Sequence, residues 1–182
     1  MIGPTAIAQR LAYRHPMLLI DQVTDLVPGE WLTAIKAVTA SEPWFRECLP
    51  SDPDLSGVAA PAVYPSVLLI ESLCQAAGVL AAWDDPRPSV LCGDVMLLGS
   101  LADVTFHGSV EPGSVLHHHI RVTRVIGGTL MFEGTTRVDD RLVLRVGQMV
   151  MAIRPATVVT APAQEVSAAS GNRLSQHGRG VP

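Results

Sequence analysis

Charge is scarce in this chain, and so are lysine, aromatic rings and unbroken apolar runs. Only 16% of the 182 residues are charged while 48% are apolar, which excludes the highly charged, weakly apolar composition of a disordered polymer. Lys36 is the only lysine against twelve arginines, and the net charge of −4 leaves no basic footprint for nucleic acid. Three cysteines (Cys48, Cys74 and Cys92) have no metal-ligand spacing and are odd in number. No metal site is expected from them, and a reducing, cytoplasmic setting is. Gln9 and Arg10 break any signal-peptide core at the N-terminus. The length suits one domain with a sizeable core.

What is present is organised around residues 63–83, VYPSVLLIESLCQAAGVLAAW. Pro65 suits a first helical turn, because its missing N–H would have no partner there. Asp84, Asp85 and Pro86 end the run, so a helix of roughly nineteen residues and 28 Å is expected. It is apolar nearly all round, the pattern of a helix enclosed by protein. Glu71, Ser72 and Gln75 interrupt it too often for a membrane span. Glu71 and Gln75 stand four apart and share a face. A carboxylate on a buried helix is the most informative residue in the sequence.

Before the helix, residues 4–13 predict a short helix, stopped by HPM at 15–17. Residues 18–27 and 31–40 read as strands joined by the Pro28-Gly29 turn. Ser41 is a possible cap for SEPWF, and residues 46–62 form a long Pro/Asp/Ser-rich connection. After the helix, strands are predicted over 90–97, 103–110, 115–126, 129–138 and 141–153, with EPGS, Gly127-Gly128 and Asp139-Asp140 as turns. Alternation puts Leu130, Phe132, Thr136 and Val138 on one face of its strand. In the next, Leu142, Leu144, Val146, Val150 and Ala152 share a face. His118 joins Leu116, Ile120 and Val122, leaving His117 and His119 on the other side as a solvated or groove face. The domain is expected over residues 1–154, with 155–182 a small, polar, Pro/Gly-interrupted disordered tail. Strands in a run beside one segregated helix argue an α+β fold, an antiparallel sheet wrapped around a long central helix.

Residues 10–45 (RLAYRHPMLLIDQVTDLVPGEWLTAIKAVTASEPWF) resemble the opening of the (3R)-hydroxyacyl-ACP dehydratases of the FabZ/FabA type, where "HRYPFLLVDRV…PG…AIKNVT.NEPFF" leads into "GHFPG". The helix resembles that family's "MPGVLIIEALAQAGGVLA", and residues 104–125 resemble its "ARFKRPVVPGDQL" hairpin. The likeness implies a hot-dog fold in a dimer. It also implies an acyl chain carried on the phosphopantetheine of an acyl carrier protein, with no cofactor of the enzyme's own. In the family, a loop histidine of one subunit removes the α-proton, and a helix glutamate of the other works at the β-hydroxyl. Glu71 matches that glutamate and Gln75 the glutamine one turn on. The histidine has no match: RECLPS (46–51) puts Cys48 in its place, and the loop that follows is longer than the family pattern.

A thiolate needs an electropositive setting to act as a base, so at Cys48 a lost base is the expectation. Ser66 stands where the family has the glycine of "MPG". With Val67 it is expected near the acyl thioester, where helix N–H groups polarise a carbonyl. Tyr64 reads equally as a packing residue and as a hydroxyl lining the site. His15 reads as a structural hydrogen-bonding residue. The resemblance therefore implies a hydroxyacyl-ACP dehydratase subunit of fatty-acid or polyketide biosynthesis. It lacks the family histidine and supplies Glu71 to a composite site in a heterodimer, otherwise a homodimer. Two alternatives stay open: a hot-dog thioesterase in which Glu71 activates water, and a catalytically silent acyl-carrier-binding subunit.

Overall fold

A computed structural model describes residues 1–45, 62–84 and 93–157. The elements in chain order are α1 (Pro4–Ala8), β1 (Gln22–Val27), β2 (Trp31–Ala37), a 3-10 turn (Pro43–Phe45), α2 (Ser66–Ala81), β3 (Asp94–Phe106), β4 (Val115–Ile126), β5 (Thr129–Val138) and β6 (Arg141–Pro155). The six strands form one antiparallel sheet in the order β1-β2-β4-β5-β6-β3. Helix α2 packs on β2, β4, β5 and β6. This is the expected α+β arrangement of a sheet around one long helix, the hot-dog fold.

Every residue of α2 from Ser72 to Leu80 is buried, as an all-round apolar helix requires. Ser72 satisfies its hydroxyl by donating to the Leu69 carbonyl (3.1 Å). The helix is shorter than expected. Pro65 is not inside the first turn but caps it, with an extended ψ of 127° and a carbonyl that accepts from Leu68 and Leu69.

Strand alternation holds in β4, where Leu116, His118 and Ile120 are buried and His117, His119 and Arg121 exposed. In β6 it fails twice: Val143 and Leu144 are both buried where the pairing slips between Thr136–Leu144 and Arg137–Leu142, and it fails again after Val146. Phe132 pairs with Met149 but Gly134 with Val146, so two steps on β5 oppose three on β6. That bulge shifts the phase, and Met149 and Met151 take the buried positions expected for Val150 and Ala152. At the bulge Gly147 lies against Asp103, whose Cβ would stand 2.8 Å from any Cβ added there.

Other boundaries move for identifiable reasons. The helix expected over 4–13 ends at Ala8, because Arg10, Leu11 and Tyr13 leave it to run along α2. The first strand starts at Gln22 rather than Leu18, since the Leu19 N–H is taken by the Gln75 side chain instead of β2. The two strands expected over 90–97 and 103–110 are one. β3 pairs with β6 from Asp94 to Phe106 and absorbs the irregularity in a bulge at Gly99; residues 90–92 lie outside the described residues. At the 3-10 turn, Glu42 rather than Ser41 makes the backbone bond, accepting from the Thr39 N–H (2.8 Å). The tail beyond residue 157, like the 46–61 connection, lies outside the described residues.

Candidate active site

The chemistry gathers on one stripe of α2. Glu71, Cys74, Gln75 and Gly78 recur at helical spacing, and all four line a cleft of about 300 Å³. The opposite wall comes from residues 10–13 and from the start of β3, with Met151 contributed by β6. Residues 10–13 run against the helix direction. Tyr13 meets Glu71, Leu11 packs over Gly78, and Arg10 lies over Trp83 just past the helix end.

Gln75 holds this arrangement. It is 1% exposed, so all its polar atoms need partners. Its Oε1 accepts from the Leu19 N–H (2.9 Å). Its Nε2 donates to the Met17 carbonyl (2.8 Å) and to Glu71 Oε1 (2.9 Å). One amide therefore ties segment 17–19 to the helix and orients the Glu71 carboxylate. The Tyr13 hydroxyl also faces that carboxylate. Burial, then the Glu71 charge and their hydrogen bond, push the phenol up to about 12, so it stays a donor. Burial and then Glu71 push the Cys74 thiol up to about 12 as well, which keeps it uncharged and unreactive at neutral pH. A hydrogen-bonded carboxylate in a largely apolar cleft can exchange a proton with a hydroxyl brought beside it. No histidine is among the described residues that line the cleft.

The remaining sequence candidates lie elsewhere. Cys48 lies outside the described residues. Ser66 and Val67 are exposed at the first turn of α2 and do not line the Glu71 cleft; Val67 is 70% exposed. Tyr64 is buried and also away from it. Its ring packs edge-on against Trp44 and at a tilt against Phe45, with Lys36 Nζ 5.6 Å above it. Burial, reinforced by Glu42 and Asp21, holds its phenol above the usual tyrosine range. Beside it lies an ion pair that sequence reading passed over, Lys36 to Glu42 at 3.0 Å, almost entirely buried.

His15 is exposed, on a separate cleft with Asp21 and Glu42. His118 is in the core, its Nδ1 2.9 Å from Thr136 Oγ1. Burial, then the neighbouring Lys36 and His117 charges, depress it to about 3 and keep the ring neutral. Among the described residues no group of three or more His, Cys, Asp or Glu is placed to hold a metal ion, and no helix is long and apolar enough to cross a membrane.

Sequence reading also missed Tyr13 and Arg10. The only signal for Tyr13 is its place at the head of YRHP, where the family pattern reads HRYP. Nothing in the spacing marks Arg10.

Comparison with known proteins identifies the family and the fold. Residues 11–147 match the model of the FabA-like domain. The 3-hydroxyacyl-[acyl-carrier-protein] dehydratase FabZ of Halorhodospira halophila is 39% identical over 132 residues, covering 72% of this chain and 80% of that protein. The FabZ of Shewanella oneidensis is 36% identical over 143 residues, covering 76% and 84%. Among solved structures, the dehydratase heterocomplex ApeI:P from Xenorhabdus doucetiae superimposes with a TM-score of 0.64 at 18% identity, over 85% of this chain and 94% of that one. The fluoroacetyl-CoA thioesterase FlK gives 0.54 at 17% identity, over 75% and 94%. At those identities the structural matches speak for the fold alone. The sequence matches go further: the chain belongs to the FabA-like family, among relatives of the FabZ dehydratases.

Proposed function

We propose that this chain is a subunit of a 3-hydroxyacyl-ACP dehydratase of fatty-acid or polyketide biosynthesis, acting in the cytoplasm. Glu71 works at the β-hydroxyl, and the α-proton is removed by a histidine on a second hot-dog subunit. The observation that carries the proposal is the Glu71 carboxyl group, oriented by Gln75 and Tyr13 in the lining of a largely apolar cleft of about 300 Å³. The elimination takes 3-hydroxyacyl-ACP to trans-enoyl-ACP. The α-hydrogen leaves as a proton to the base, and the hydroxyl leaves as water with the proton of Glu71, which enters the step as the carboxylic acid and leaves it as the carboxylate. In this reading the acyl group arrives on the phosphopantetheine of the carrier protein, and no other cofactor takes part.

The composite site is supported by the sequence RECLPS, which has Cys48 and no histidine at the family's loop position. It is also supported by surface left uncovered. β3 pairs only with β6, so one edge of a thirteen-residue strand is free among the described residues. Leu98 and Phe106 on that strand, and Val63 and Val67 at the start of α2, are exposed. A second subunit laid along this edge would cover Leu98 and Phe106. The ApeI:P structure is itself a dehydratase heterocomplex, which makes a two-chain arrangement a known form of this fold.

The test is co-expression with hot-dog proteins encoded nearby, followed by an assay on 3-hydroxyacyl-ACP. The complex is expected to form enoyl-ACP, and Glu71→Gln to lower the rate by ~100-fold or more while the complex stays assembled. A chain that forms only homodimers and shows no dehydration overturns the composite site. Thiol release from acyl-ACP by the isolated chain would assign it as a thioesterase instead.

A further inference from the structure

The cleft beside Glu71 has a second polar end. Its middle is apolar, formed by Leu11, Met96 and Met151 over the bare backbone of Gly78. A Cβ added at Gly78 would stand 3.1 Å from Leu11 and 3.7 Å from the Met96 sulfur, so the missing methyl is what keeps this stretch open. Beyond it lies Arg10, which also lines the cleft. Its guanidinium stacks 4.0 Å from the centre of the Trp83 ring, and Nη1 donates to the Ala6 carbonyl (3.0 Å). The Nε is buried without a hydrogen-bond partner, and no carboxylate among the described residues pairs with the charge.

The Nε is closed off, but Nη2 is neither buried nor hydrogen-bonded among the described residues, and it offers an edge of the stacked guanidinium to an acceptor in that plane. We infer that Arg10 receives the far end of the bound acyl chain, and that this end carries a carboxylate. The inference rests on the reading that the Glu71 cleft takes the acyl chain. The preferred ligand is thus an acyl group that ends in a carboxylate rather than a methyl.

Calorimetric titration of the purified protein, in complex with its partner where one is found, tests this with two pantetheine thioesters. At each of several chain lengths, one carries the straight-chain alkanoate and the other the mono-ester of the matching dioate. The carboxylate probe is expected to bind about tenfold to a hundredfold more tightly, the worth of a charge-assisted hydrogen bond. Arg10→Met is expected to erase the difference between the two probes, and Arg10→Lys to retain part of it. Equal affinities, or a preference that survives Arg10→Met, overturn the assignment. Binding of neither thioester overturns it too. Dehydration of a short 3-hydroxyacyl-ACP by the complex would then leave the proposed function standing without it, and loss of that activity as well would remove both.

Discussion

The Gln75 amide offers the sharpest test of how this site is held. Its three hydrogen bonds reach two backbone groups and one carboxylate. Gln75→Leu keeps the bulk and removes all three. The Leu19 N–H, in a residue only 1% exposed, then has no acceptor; a buried donor left bare costs about 1–3 kcal/mol. Met17 is 38% exposed, so water can reach its carbonyl and its loss adds less. A total of about 2–3 kcal/mol follows, and at about 2–4 °C per kcal/mol the melting temperature falls by about 5–10 °C. Urea unfolding should show a lower midpoint with an unchanged slope, since the surface exposed on unfolding is the same. Gln75→Glu restores an acceptor for Leu19 but places a second carboxyl against Glu71. It should recover part of the stability at pH 5 and less at pH 8. A Gln75→Leu protein within about 0.5 kcal/mol of wild type would refute the claim that this amide clamps segment 17–19.

Two further predictions concern the core. His118 is depressed to about 3 in the fold against an ordinary value of 6.5, so the unfolded chain binds its proton first as pH falls. The stability it supports is complete above pH 6.5 and is lost as the pH drops towards 3, at about 1.4 kcal/mol per unit. The double substitution His118→Leu/Thr136→Val should therefore show a shallower loss of urea midpoint between pH 7 and pH 4 than wild type; parallel curves would refute this. Gly134→Ala places a methyl 2.7 Å from Ile120 and 3.3 Å from both Leu73 methyls. It is expected to destabilise by about 1–3 kcal/mol in the same assay. Gly3→Ala, which meets nothing within 4 Å and alters only the cap of the short helix α1, should cost less, under about 1 kcal/mol; equal effects of the two would refute the contact.

The sequence by itself determined those features that depend on neighbouring residues. Helix α2 is buried all round because its apolar residues occupy every face. β4 alternates because side chains in a strand must point to opposite sides. The hairpins turn at Gly127 and Asp139, both with positive φ, where the residue types allow it. The Glu71–Gln75 hydrogen bond follows from a spacing of four. Family motifs added what spacing lacks, a reason to single out that carboxylate.

Tertiary structure decided the rest. Gln75 reaches across 56 residues to Leu19, and no local pattern encodes a partner that distant. Tyr64, adjacent in sequence to the helix that carries Glu71, points into a different part of the core. Tyr13 and Arg10, with no motif of their own, line the cleft. The β6 bulge exchanged Val150 for Met149 because the pairing with β5, not the apolar pattern, sets which side chain faces the helix. Periodicity says that a face exists; only the packing of segments far apart in the chain says what that face meets.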